Sequence, residues 1–199
     1  MIRLQALQMP RSSMEIIFSG TIDRCLQSPF STIVTDSSRN GEVAACLLNS
    51  VWSRSDLTND ADFSTGDVFP ENVQLFVNFL NSMHSNFWEL APRNVECVIH
   101  REIVSVATPY MRKGIASRLL TESMSKKQLQ RFKIGGVLSE ATSLANQCLE
   151  KSYGFKCLLE KPYSEVIDSK GHCVLKLDDG TTHLRLNYKP IGEFIDLHE

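Results

Sequence analysis

At 199 residues the chain is long enough for one domain with a full core, and its formal charge of -2 and pI near 6.2 exclude the basic balance of a nucleic-acid binder. Its six cysteines are scattered without a C-x-x-C pair, which argues against a disulfide framework and for the reduced thiols of a cytoplasmic protein. No stretch approaches the ~20 apolar residues of a membrane span, and the opening MIRLQALQMPRSS carries too short an apolar region for a signal peptide.

Ser12, with Glu15 three residues on, offers a capping box, and Phe18, Ile22, Cys25 and Leu26 follow at helical spacing. An amphipathic helix ending at Ser28-Pro29 is predicted. STIVTD (31–36) predicts a short strand, Asn40-Gly41 a hairpin turn, and Val43 to Trp52 the partner strand. Ser53 to Pro70 is polar and aperiodic, a long loop of the kind that is often functional. Val73, Phe76, Phe79, Leu80 and Met83 mark a second amphipathic helix, extended by Phe87-Trp88.

Val95 to Ala107 predicts a long strand, with His100 and Glu102 on the same face as Val104 and Val106. A helix is predicted from Ile115 to about Gln130. IGGVLS (134–139) reads as a strand in which Gly135-Gly136 marks a bulge or a close backbone approach. Thr142 caps a short helix bearing Leu144, Ala145, Cys148 and Leu149, which ends at Tyr153-Gly154-Phe155. Phe155 to Glu160 and Thr182 to Tyr188 are the last strands. With no repeat or linker, one domain over 1–199 is expected, and central βαβ units argue for an α/β or α+β fold with a mixed sheet.

The rest is organised around Glu102 to Leu120, EIVSVATPYMRKGIASRLL, which reads as strand, tight loop and helix. A helix entrance leaves backbone N–H groups without partners and adds the positive end of the dipole. Gly114 lets the backbone approach an anion, and Arg112 and Lys113 supply charge. The spacing excludes a P-loop, and the single glycine excludes a Rossmann fingerprint. A pyrophosphate loop of another kind and an ordinary strand-to-helix connection both stay open at this point.

These residues resemble the signature of the GNAT acetyltransferases, a strand ending in Val that leads to [QR]-x-x-G-x-[GA]. Val106, Gly114, Ile115 and Ala116 stand in register, while Met111 takes the place of the usual Gln or Arg and Arg112 follows it. A second match is similar to the invertebrate arylalkylamine N-acetyltransferase-like branch: Glu140-Ala141-Thr142-Ser143, Glu150-Lys151, Gly154-Phe155 and Pro162-Tyr163, with one extra residue between Lys151 and Gly154.

The resemblance implies a central mixed, mostly antiparallel sheet with splayed central strands and flanking helices. It also implies acetyl-CoA as cosubstrate and a small primary amine, an arylalkylamine among the candidates, as acceptor. Val104, Ser105 and Val106 would hold the pantetheine arm as an added strand does. Met111, Arg112, Lys113, Gly114, Ile115, Ala116 and Ser117 would take the pyrophosphate. The amino-terminal region departs from the family pattern, which leaves open whether the first family strand and helix, and the usual base, are missing.

Acetyl transfer needs a deprotonated amine and a proton for the leaving thiolate. Glu102 and His100 are the candidates for removing the amine proton, each with an alternative as a paired structural group. In the vertebrate arylalkylamine enzymes both strand positions are His, so the resemblance implies a comparable relay here. The family's usual Tyr acid falls at Glu150, which leaves Tyr153 as a nearby substitute. Phe79, Phe87, Trp88 and the loop from Ser53 to Pro70 are expected around the amine, although each aromatic reads individually as core. His172 and Cys173 lack ligand spacing, so no metal site is expected. A catalytically degenerate acyl-CoA-binding module of the same fold is the competing reading.

Overall fold

The computed structural model describes residues 10–55, 69–175 and 177–194. Six strands, β1 (Thr32–Asp36), β2 (Glu42–Ser53), β3 (Cys97–Val106), β4 (Ile134–Ala141), β5 (Lys156–Pro162) and β6 (His183–Pro190), form one sheet in the order β1-β2-β3-β4-β6-β5. Every neighbouring pair is antiparallel except β3 with β4. The helices are α1 (Arg11–Cys25), α2 (Glu71–His84), α3 (Phe87–Leu90), α4 (Ile115–Glu122), α5 (Lys126–Arg131) and α6 (Leu144–Ser152). Order and type follow the sequence expectation, as does the mixed, mostly antiparallel sheet.

Residues of α2 and α3 pack with Trp52, Val98, Leu138, Leu184 and Leu186 on one face of the sheet, and Met14 and Ile17 of α1 join them. On the other face, α5 covers Ile99, Val137 and Phe155, and α4 covers Ala45 and Leu47. Along α6, Glu150 reaches Asn187 of β6 on that second face. The apolar i, i+3, i+4 stripe of α2 explains its seat, because Val73, Phe76, Val77 and Met83 are all buried.

Several local expectations change. The capping box at Ser12 and Glu15 does not form: the helix starts after Pro10, whose fixed φ of -58° suits the position, and Glu15 pairs with Arg11 at 2.9 Å. The buried face of α1 is Ser13, Thr21 and Cys25, while Ile22 and Leu26 are exposed. The apolar residues of this helix are spread around its axis, so its small polar side chains decide how closely it approaches the sheet. The helix predicted from Ile115 to Gln130 is two helices, because Ser125 accepts from the Gln128 N–H and starts α5 afresh. The cap of α6 is Ser143, accepting from Asn146, rather than Thr142.

Both readings of Gly135-Gly136 hold. The β3–β4 register jumps from Cys97↔Ile134 to Val98↔Gly136, which leaves Gly135 as the extra residue. At Gly136 a Cβ would run into the Tyr188 ring. Within the predicted loop from Ser53 to Pro70, positions 56–68 lie outside the described residues.

Candidate active site

The β3–β4 pairing runs through five register pairs and ends at Arg101↔Ser139. Beyond that point β3 continues to Val106 against β2 alone, while β4 continues to Ala141 against β6. The two strands therefore splay and leave the β4-side edge of Glu102 to Val106 without a neighbouring strand.

A bulge in β3 sets the site. Arg101 pairs with Asn49 and Ile103 with Leu48, so Glu102 is the extra residue and the alternation of faces inverts across it. His100 and Glu102 consequently turn toward α1 and α2. Val104 and Val106 do not share that face, as strict alternation had predicted; they turn to α4, where they pack with Ile115 and Leu119. Arg101, a candidate partner for Glu102 in the sequence, is instead buried on the α4 face and donates to the Leu120 carbonyl at 2.6 Å.

A cavity of about 500 Å³ occupies the splay. It is lined from one face by α1, α2, His84, His100, Glu102 and Glu140, and from the other by Val104, Val106, the loop before α4, and α6. It thus threads the sheet between β3 and β4.

At the α4 end, Arg112 and Gly114 both have positive φ, 62° and 78°, and this places the turn into the helix. Among the described residues the N–H groups of Arg112, Lys113, Gly114, Ile115, Ala116 and Ser117 have no hydrogen-bond acceptor. Met111, Arg112, Gly114, Ile115, Ala116 and Ser117 line the cavity. Lys113 instead lies over the Tyr110 ring at 5.3 Å, and Ser105 pairs opposite Cys46 away from the cavity lining.

At the α1–α2 end, ionisable side chains form a chain. Ser50 Oγ donates to Glu102 Oε1 at 2.8 Å, and Arg24 of α1 approaches the same carboxylate at 3.4 Å. His100 Nδ1 lies 3.3 Å from Glu102 Oε1, and its Nε2 lies 2.5 Å from Glu140 Oε2. His84 Nε2 lies 3.2 Å from Glu140 Oε1. The Trp52 ring packs on His100 with centroids 4.0 Å apart and on His84 at 5.1 Å, which fixes both imidazoles.

Burial alone would depress the His100 pKa, but the Glu140 and Glu102 carboxylates on either side push it up to about 10. Burial works against ionisation of Glu102, yet His100, Arg24 and the Ser50 hydroxyl hold it at about 2. Glu140 is driven well below the carboxylate range against the same burial cost, chiefly by His100 and His84. The two carboxylates thus favour the charged form of His100, and His100 in turn favours theirs.

Sequence reasoning missed Glu140 and His84. Glu140 stood inside the E-A-T-S match but carried no chemistry there; His84 closes α2 with nothing local to mark it. Tyr153 is not in the site. It is 37% exposed past the end of α6, outside the cavity, and its carbonyl accepts from Lys189 Nζ. Phe79 and Phe87 are buried core and Trp88 packs on Phe87, with none of the three lining the cavity. Phe76, Val77 and Leu80 of α2 line it in their place.

No family model matches the chain, and no curated protein matches it in sequence. Solved structures do. Arylalkylamine N-acetyltransferase 2 from Aedes aegypti superposes with a TM-score of 0.74 at 18% identity, covering 89% of this chain and 80% of that one. Polyamine N-acetyltransferase of Drosophila melanogaster gives 0.64 at 11% identity, over 81% and 75% of the two chains. The C-terminal condensation domain of Ebony, in complex with β-alanyl-dopamine, gives 0.65 at 16% identity, over 96% and 87%. What this establishes is the fold, which the chain shares with these N-acetyltransferases of arylalkylamines and polyamines and with the Ebony domain.

Proposed function

We propose that the protein is an acetyl-CoA-dependent N-acetyltransferase of small primary amines. The observation that carries this reading is a single cavity threading the splayed sheet, with unpartnered amides and an open strand edge on one side and a buried carboxylate chain on the other. The fold's occurrence among amine N-acetyltransferases supports it.

In this reading the amides from Arg112 to Ser117 bind the pyrophosphate, aided by the α4 dipole. The open edge from Val104 to Val106 offers main-chain groups to the pantetheine arm. The thioester then lies where β3 and β4 part. An amine entering from the α1–α2 side meets Glu102 and Glu140, whose negative charge attracts an ammonium ion. Glu102, at the bulge and within the lining, accepts the amine proton, and His100 lies between the two carboxylates, its Nε2 hydrogen-bonded to Glu140 and its Nδ1 3.3 Å from Glu102 Oε1 without a hydrogen bond. The wall of Ile17, Phe18, Phe76, Val77 and Leu80 is apolar and suits an amine with an aromatic body.

A second reading, a non-catalytic acyl-CoA-binding module, is favoured by one observation. Tyr153 lies outside the cavity, and Glu150, at the family's acid position, is buried against Asn146 and Asn187. Calorimetric titration with acetyl-CoA, followed by mass spectrometry with tryptamine, dopamine, spermidine and glucosamine 6-phosphate, separates the two. Binding with an acetylated arylalkylamine is the expected result. Binding without product on any amine supports the second reading, and absence of binding removes both.

A further inference from the structure

The carboxylate of Glu140 presents a puzzle that proton chemistry does not absorb. Its Oε1 is buried and has no hydrogen-bond partner among the described residues, although His84 Nε2 faces it at 3.2 Å. Its Oε2 faces His100 Nε2 at 2.5 Å. Two imidazole nitrogens thus converge on one carboxylate, and one of that carboxylate's oxygens is left unmet. The ligand atoms of His84, His100 and Glu140 all lie within 4.8 Å of one another.

We infer that His84, His100 and Glu140 form a binding site for a divalent cation of borderline softness, Zn²⁺, Co²⁺ or Ni²⁺, with its remaining coordination positions open to the cavity. Two imidazoles and one carboxylate are a donor set that such ions favour over Mg²⁺ or Ca²⁺, which take oxygen. Bonds of about 2.0–2.2 Å put neighbouring ligands of a tetrahedral ion roughly 3.3 Å apart. The two imidazoles now meet different oxygens of Glu140, His84 at 3.2 Å from Oε1 and His100 at 2.5 Å from Oε2, so a bound ion draws one oxygen into the shared position and opens the shorter contact, a small adjustment for nitrogens and oxygen already within 4.8 Å.

Two further features prepare the site. Trp52 packs on both imidazoles and holds their orientation. Glu102 Oε1 lies 3.3 Å from His100 Nδ1, the nitrogen that would not touch the metal and that has no hydrogen bond among the described residues, which places a carboxylate where it would orient and polarise a ligating histidine. The three ligands come from α2, β3 and β4, so no sequence spacing announces them. All three border the cavity, and a bound cation takes an open position toward whatever occupies it.

The test is direct binding, independent of any acetyl transfer. Protein stripped with chelator is titrated with Co²⁺ and followed by its visible absorption, and bound Zn²⁺ is counted by elemental analysis after dialysis. One equivalent of either ion is expected. His84→Ala should weaken binding at least tenfold, Glu102→Gln about 10- to 100-fold as for lost outer-shell partners, and His172→Ala, at a distant exposed loop, not at all. His84→Cys keeps a ligand and should add a thiolate-to-cobalt charge-transfer band, a positive signal that no folding defect can imitate. Absence of stoichiometric binding by the wild-type protein would overturn the site, as would binding that His84→Ala and Glu140→Ala leave unchanged while circular dichroism shows both folded.

Discussion

At the scale of single residues the proposed chemistry rests on Glu102. It is the extra residue of a β-bulge, and a bulge re-aims the side chain it carries. Glu102→Gln keeps the shape but loses the charge that faces His100 and Arg24. The expected result is a fall in acetylation rate of about 10²- to 10⁴-fold, the range for a lost acid–base group, with acetyl-CoA affinity unchanged by calorimetry. A normal rate would make Glu102 a bystander. Tyr110 allows a second test away from this chain of charges. Asp36 is held below its usual pKa first by the Ser38 hydroxyl and then by Tyr110, whose phenol donates to Oδ2 at 2.8 Å. A depressed carboxylate contributes stability that is present above its unfolded value near 3.9 and lost as pH falls through the lower folded value. Tyr110→Phe should therefore raise the Asp36 pKa in an NMR titration and move the onset of acid unfolding upward.

At the scale of elements, most of the fold was legible and most of the chemistry was not. Strands and helices announced themselves because alternation and 3.6-residue spacing are local, and the loop from Arg112 to Ser117 was readable because glycine and cations cluster there. The bulge at Glu102 has no local signature, so strict alternation placed Val104 and Val106 on the wrong face. His84 and Glu140 meet His100 only through tertiary structure, across α2, β3 and β4. Ser125 ended a predicted long helix that its apolar residues alone would have continued. Gly136 gives this scale its prediction. Its missing Cβ makes room for the Tyr188 ring, whose hydroxyl donates to Gly135 at 3.1 Å. Gly136→Ala should cost about 1–3 kcal/mol by overpacking in denaturant unfolding, and Tyr188→Leu in the same chain should recover part of the loss.

Across the whole molecule, stability is distributed unevenly. The cluster between α2 and the sheet holds most of the large buried side chains, whereas α1 buries only Ser13, Thr21 and Cys25 and presents Ile16, Ile22 and Leu26 to solvent. Its attachment to the sheet adds only the partly buried Met14 and Ile17 and the ion pair from Arg24 to Glu102. Elements with few buried apolar contacts open at lower free energy than the core. Amide hydrogen exchange should accordingly show α1 exchanging well before β2, β3 and β4, and Arg24→Ala should widen that difference. Uniform protection across the chain would contradict this ranking.

The early end of the β3–β4 pairing has a consequence for how the protein behaves in a mixture. Three strands on each side are joined by only five register pairs, so the sheet is a seam that stops partway up. An extended ligand lying in the open part completes that seam as a missing rung would, and it binds the folded chain alone. Mass action then ties melting temperature to ligand concentration: at one hundred times its dissociation constant, such a ligand adds about 2.7 kcal/mol. If the proposed function holds, the melting temperature should rise logarithmically across an acetyl-CoA dilution series, and in a cell the protein's survival would follow the supply of that ligand.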